Sequence, residues 1–268
     1  YKTETIGFGT RIGFALREDI GMQLRYSLYR QAMTLDPVLS DCTPATLPAV
    51  MPVTPFASNC YSNGEASLAV RQQAAAGAVF TSLVGYSITY NTLDNNRNPT
   101  KGLSIELRQD FAGLGGDVNF IRSSADARFY HEIVSDVVGV LRLQAGHVAG
   151  WGDKEFRMLD HFQMGPNLVR GFAPAGLGPR DLTIGTTQDG LGGTTYWGAS
   201  VEVQIPVFPL PKDFGMKIAV FADAGSLWGY KGPTFFPQTG ETIVLADTAA
   251  IRSSVGAMLE PLEETFGW

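Results

Sequence analysis

Long runs in which apolar and small or polar residues alternate dominate this sequence. In the first, Ile6, Phe8, Ile12, Phe14 and Leu16 fall on one side, and Gly7, Gly9, Arg11 and Gly13 on the other. A period of two places successive side chains on opposite faces of a strand, so each run predicts a strand with two chemically different faces. Similar runs follow at Met22–Tyr29, Thr81–Tyr90, Leu103–Asp110, Asp117–His131 and Val137–Ala149. The clearest sets Thr195, Trp197, Ala199, Val201, Val203 and Ile205 against Thr194, Tyr196, Gly198, Ser200, Glu202 and Gln204. In the next, Ile218, Val220, Ala222 and Ala224 oppose Lys217, Phe221 and Asp223, and a shorter run begins at Ile251. The reading is roughly nine strands of about 8–14 residues, longer than the 5–6 usual in soluble sheets.

The links between these runs alternate in length. Short ones carry "RED", "NNRNPTKG" and "PLPKDFG"; long ones span roughly residues 34–77, 150–193 and 228–250. Short turns at one end of a sheet and long loops at the other are the layout of outer-membrane barrels. The faces agree with that environment. Their polar sides mix glycine, serine and charges of both signs, as in Glu106, Arg108 and Asp110, which suits a wet or loop-filled lumen with lipid on the apolar side. A closed barrel also satisfies the strand backbone groups that a bilayer cannot. Charged residues make up 17% of the chain, below the roughly 25% of soluble domains, in keeping with a large lipid-facing surface. The expected fold is therefore all-β, an antiparallel transmembrane barrel. "EASLAVRQQAAAGAV" has helical propensity and predicts a helix inside the first long loop.

No stretch of eighteen consecutive apolar residues is present, which argues against a membrane-spanning helix. A net charge of −6 argues against a nucleic-acid partner. His131, His147 and His161 lie in different elements, no Cys or His pair has metal-ligand spacing, and there is no nucleophile elbow, phosphate loop or dinucleotide fingerprint. The expectation is a protein without catalytic residues, metal or cofactor. The glycine clusters at Gly113 and Gly190 read as turns and loops. Cys42 and Cys60 share one polar, proline-rich segment, so they form either a local disulfide in an oxidising compartment or two free thiols. Arg170, between Val169 and Gly171–Phe172, is either an exposed loop charge or an arginine folded into a confined polar space where it needs a carboxylate.

Three blocks in order carry a resemblance. "VRGF" (Val169–Phe172) precedes an alternating strand opened by Gly-Gly, the strand after that ends in "FADAGSLW", and "YNTLDNNRNPTKG" (Tyr90–Gly102) lies upstream. Together they resemble the BamA family of outer-membrane protein assembly factors, of the bacterial surface antigens, over most of Tyr1 to about Gly256. The resemblance implies a barrel of about sixteen strands, here a partial one of about nine over residues 1–258, with POTRA domains and about five strands lying upstream. Thr3–Leu16 would then be the sixth strand and Ile251–Met258 the start of the fourteenth. Residues 33–77 would be a long extracellular loop with the cysteine pair, and residues 150–193 a loop inserted in the lumen. Asp94, Pro99 and Gly102 would mark a periplasmic turn. The segment 259–268, with Pro261 and Glu260, Glu263 and Glu264, departs from the family pattern and reads as a divergent tail rather than a lipid-facing strand.

The resemblance further implies that the Val169–Arg170–Gly171–Phe172 tip rests on the inner wall, with Glu202 and Asp223 as Arg170's partners. An arginine in such a place favours a planar carboxylate bound through two hydrogen bonds. The implied activity is insertion of unfolded outer-membrane proteins by strand-edge templating, without covalent chemistry, in the bacterial outer membrane. The implied partners are those clients, accessory assembly proteins and outer-membrane lipids. Related barrels leave three alternatives: an autotransporter-assembly factor similar to TamA, a secretion pore, or a passive porin.

Overall fold

The computed structural model describes residues 2–36, 39, 66–152, 154, 156–183, 187–207, 216–236 and 241–261. In chain order the elements are β1 (Lys2–Ala15), β2 (Ile20–Thr34), α1 (Leu68–Ala75), β3 (Val79–Asn91), β4 (Gly102–Gly116), β5 (Phe120–Val134) and β6 (Val137–Gly150). They continue with β7 (Arg180–Asp181), β8 (Thr195–Pro206), β9 (Met216–Trp228), β10 (Phe235–Phe236), β11 (Glu241–Thr242), β12 (Leu245–Ala246) and β13 (Arg252–Pro261). Nine long strands form one antiparallel sheet in the order β1-β2-β3-β4-β5-β6-β8-β9-β13, so every neighbour but those across the loop pieces is also the next strand in sequence. β7 and β10–β12 make two small ladders, β10 with β11 and β7 with β12. The sheet is open, with β1 and β13 at its edges.

The register keeps like faces together. Ile12 stands opposite Leu24, Ile88 opposite Leu107, Leu141 opposite Val201 and Val203 opposite Val220. These residues share one face, where Phe8, Leu107, Leu143 and Val255 are exposed. An apolar face turned outward over a whole sheet is the reverse of a soluble core and matches a hydrocarbon surround. The other face carries charge in pairs. Arg25 and Arg108 bond the Asp110 carboxylate, and Arg128 and Arg142 converge on Asp126 at 3.2 and 2.6 Å. The apolar core gathers instead at the long-loop end. There α1 packs Leu68 and Val70 with Met33, Met158, Leu191, Tyr230 and Ile243. The helix ends at Ala76, followed by Gly77 at φ +76°, a left-handed stop that glycine adopts without penalty.

Three details differ from the sequence reading. Gly113, Gly115 and Gly116 are not a turn but the last residues of β4, where φ values of +131°, +89° and +100° accompany a shift in register against Thr81 and Leu83. The link that follows, Asp117–Asn119, is a tight turn at the end that otherwise bears long loops. β13 pairs with β9 as far as Pro261↔Met216, three residues past Met258. Proline is compatible with that place because it ends an edge strand, whose far side needs no ladder N–H. Cys42 and Cys60 lie outside the described residues.

Val201, 55% exposed near the middle of β8, tests the orientation of the faces. Val201→Arg is expected to destabilise the sheet in phospholipid vesicles by about 2–4 kcal/mol in urea unfolding, the cost of a cation at the bilayer midplane. A change near zero would mean that this face does not meet hydrocarbon.

Candidate functional site

The segment between β6 and β8 turns back onto the inner face of the sheet. It is tied down first at its base. Arg157 forms a two-point ion pair with Asp160 through Nε and Nη2 at 2.9 and 2.8 Å, and Arg122 Nη2 of β5 donates to the Asp160 carbonyl at 2.7 Å. Phe162 pairs with Gly193 in a β-bridge and meets Tyr196 edge-on at 4.7 Å. Further along, Leu168 and Val169 both donate their N–H groups to the Gly165 carbonyl, a single helical turn that drives both side chains inward. They are buried with Leu177, Tyr196 and Leu227, and Phe172 packs alongside. Gly171 then takes φ +87°; a Cβ there would have open space around it, so the requirement is the backbone angle itself.

This turn presents Arg170 to the wall. Its Nε and Nη2 donate to the two Asp223 carboxylate oxygens at 2.8 and 2.7 Å, and its backbone N–H donates to Oδ2 at 3.0 Å. Nη1 donates to Glu202 Oε2 at 2.5 Å and Nη2 also to Ser200 Oγ at 2.8 Å. The guanidinium plane lies over the Phe221 ring, 3.6 Å from its centroid. Ser200 is the cross-strand partner of Asp223, and Glu202 of Phe221, so four neighbouring positions on two strands make one socket. Gln204 holds the second Glu202 oxygen at 2.9 Å. Burial opposes the charge on Arg170, but the hydrogen bonds to Asp223 and Glu202 outweigh it and raise its pKa further. The side chain therefore stays cationic, a fixed plug for two carboxylates. Beside the socket is a polar cavity of about 370 Å³ reaching Arg128, Arg142 and Gln144 of the adjoining wall.

Two residues essential to this seating escaped sequence reasoning. Gly198 and Gly225, paired across β8 and β9, leave the wall flat under Leu168. A Cβ at Gly198 would come within 2.4 Å of Leu168 Cδ1, and one at Gly225 within 3.2 Å of its Cδ2. The only available signal was two inward glycines inside long strands. Phe221 was legible as an inward aromatic but not as the surface under a guanidinium.

Asp94, Pro99 and Gly102 form a separate arrangement. Asp94 closes the link between β3 and β4 by accepting hydrogen bonds from the Thr100 hydroxyl and the N–H groups of Thr100 and Lys101 at 2.6, 2.9 and 3.1 Å, with Pro99 inside the closed loop. These donors, the Thr100 hydroxyl first, hold its carboxyl well below the usual carboxylate range. Gly102, at φ +115°, approaches the Thr92 carbonyl so closely that a Cβ would lie 2.4 Å from it. The same link touches the far wall, where Lys217 of β9 donates to Asn98 Oδ1. Among the described residues, no group of three His, Cys, Asp or Glu side chains could hold a metal ion.

Residues 1–262 match the Omp85 superfamily domain. Over 261 residues the chain is 31% identical to the outer membrane protein assembly factor BamA of Neorickettsia risticii (strain Illinois), a match covering 97% of this chain and 30% of that protein. Over 168 residues it is 29% identical to the sorting and assembly machinery component 50 homolog of Homo sapiens, covering 60% of this chain and 34% of that one. These are names of assembly factors, not enzymes, and the chain spans about a third of the length of each. Among solved structures, BamA from Haemophilus ducreyi lacking POTRA domains 1–3 superposes with a TM-score of 0.67 at 19% identity, over 97% of this chain and 48% of that one.

The loop base generates a pH prediction. His161 is buried, stacked on Tyr230 with ring centroids 5.2 Å apart. Its Nδ1 lies 2.9 Å from the Arg157 carbonyl, and its Nε2 accepts the Lys231 N–H at 3.1 Å, so the neutral ring with Nδ1–H fits both partners. Burial lowers its pKa. The neutral form is thus favoured by the folded loops, whose packing is expected to be complete above the ordinary histidine value of about 6.5 and to loosen as the pH falls through the lowered folded value. Protease cleavage within residues 151–194 should rise over that acid range and lose its pH dependence in His161→Phe; the same cleavage profile in both proteins would contradict this.

Proposed function

The chain belongs to the Omp85 superfamily, and we propose that it is the loop-bearing part of an outer-membrane barrel that folds and inserts other barrel proteins. The observation that carries this reading is the Arg170 socket: one loop arginine bound at once by carboxylates of β8 and β9. Such a contact performs no covalent step. It holds a loop inside the barrel wall and fixes the relative position of two adjacent strands, which a templating machine needs and a passive pore does not.

The work itself is then strand addition. An edge of the barrel offers unpaired N–H and C=O groups, and the client's strand completes them. A hydrophobic belt that does not match the bilayer thickness adds a local thinning that eases entry. On this reading the protein is not an enzyme and takes no cofactor. It resides in the bacterial outer membrane, its clients are unfolded outer-membrane proteins, and accessory assembly proteins and outer-membrane lipids surround it. Val169, Arg170, Gly171 and Phe172 are the working loop tip, Glu202 and Asp223 its receiving groups, and the Asp94–Pro99–Gly102 link a rigid turn on the opposite, periplasmic side.

Removing Arg170 leaves the Asp223 side chain, 2% exposed, without its cation. Breaking a buried pair from one side costs about 3–5 kcal/mol. In vesicles bearing the protein in its natural full-length form, Arg170→Ala and the single reversals Arg170→Glu and Asp223→Arg are expected to slow insertion of a urea-unfolded client barrel by about tenfold or more, given a loss of that size. Arg170→Glu combined with Asp223→Arg should recover part of the rate. A double reversal no faster than either single one would show that the loop does not act through this contact.

A further inference from the structure

Among the polar residues of the outward face, which also include Thr10, Tyr26, Arg30 and His131, five fall on one line across the sheet. Tyr86, Gln109, Ser123, His147 and Thr195 are consecutive cross-strand partners over β3, β4, β5, β6 and β8, all on the face that carries Leu107 and Leu143. They are joined in two groups: Tyr86 Oη donates to Gln109 Oε1 at 2.9 Å and Gln109 Nε2 to Ser123 Oγ at 2.9 Å, while His147 Nδ1 lies 2.8 Å from Thr195 Oγ1. Gln109 sits at the middle of β4, whereas Thr195 is the first residue of β8 at the long-loop end. The polar line thus descends from the loop rim to mid-sheet. Polar side chains at membrane depth are costly and are retained where they serve a site.

Beside this line the surface is hollow. Ser123, Ala125 and Ala145 floor a trough of about 590 Å³, walled by Leu107 on one side and by Trp197 and Trp228 on the other. The volume lies within the roughly 300–1,000 Å³ of small-ligand clefts. Arg108 also lines the trough, but its Nε donates to Asp110 Oδ2 at 3.2 Å, so its charge is already paired on the inner face.

We propose that this trough is a lipid-binding site, holding one acyl chain of a membrane lipid with its ester-linked head beside His147 and Thr195. The small floor residues admit the chain, the indole and aliphatic walls bury it, and the hydrogen-bonding line offers its ester oxygens partners that bulk hydrocarbon lacks. The bound lipid covers polar groups that would otherwise face acyl chains unprotected. The proposal rests on the reading that this face meets lipid.

Phosphatidylethanolamine vesicles containing the full-length protein and a phosphatidylcholine with a diazirine in its acyl chain test it by photolabelling and peptide mapping. Trypsin separates residues 123–128 and 143–154, which include the trough floor, from residues 129–142, which carry outward Phe129 and Leu141. Severalfold more adduct on the first two peptides than on the third is expected, and Ala145→Phe, which fills the trough, should abolish the excess. The wild-type pattern decides even if that variant does not fold. Equal labelling of all three peptides, or less on the trough peptides because a protein occupies them, overturns the site while leaving the face in lipid. No labelling of any of the three overturns the membrane reading itself.

Discussion

A single guanidinium sets the arrangement of the loop against the wall. Arg170 reaches Asp223 through two side-chain bonds and its own backbone N–H, and Glu202 through a third side-chain bond. Everything around it reads as provision for that contact. Gly171 turns the chain, Gly198 and Gly225 let Leu168 approach, and Phe221 supplies a face for the cation. Net stabilisation by such a pair is modest, since desolvation offsets attraction, but losing one partner is expensive because it strands the other. The contact therefore selects one loop position more than it adds to stability.

That selection depends on the sheet presenting two opposite environments. The outward face is mainly apolar and is crossed by the inclined line through Gln109 and His147; the inward face pairs its charges, as at Asp110 and Asp126. An arginine entering the inner space meets carboxylates already placed on adjacent strands, and the helix packs with the cluster around Leu68 and Tyr230 at the long-loop end. The polar cavity beside Arg170 leaves space next to the socket, where the Arg128, Arg142 and Gln144 side chains lie. Loop position and wall geometry are thus one coupled unit.

The strands were legible because alternation is a direct print of the pleat: all nine long strands lie where the runs placed them, and α1 lies in the segment with helical propensity. Their ends were less legible. The glycines at 113–116 read as a turn, but positive φ values let them finish a strand beside a register shift, and β13 runs on to Pro261 because an edge tolerates a missing N–H. For Arg170, residue chemistry left open whether it was exposed or inserted; Glu202 and Asp223 came from family resemblance. Gly198, Gly225 and the platform of Phe221 were invisible, because their roles arise from Leu168 and Arg170 of a distant upstream loop pressing on them. The Gln109–Ser123 and His147–Thr195 bonds were hidden for a related reason: each strand shows only one or two polar exceptions, and only register lines them up.

Hydrogen exchange of the protein in lipid vesicles, followed by mass spectrometry over residues 165–172, tests the docked loop most directly. The Leu168, Val169 and Arg170 amides all have acceptors, the last of them Asp223. The account predicts slow exchange across this segment, becoming fast in Asp223→Ala while the β8 and β9 amides stay protected. Exchange at the rate of an exposed loop in the unaltered protein would contradict it.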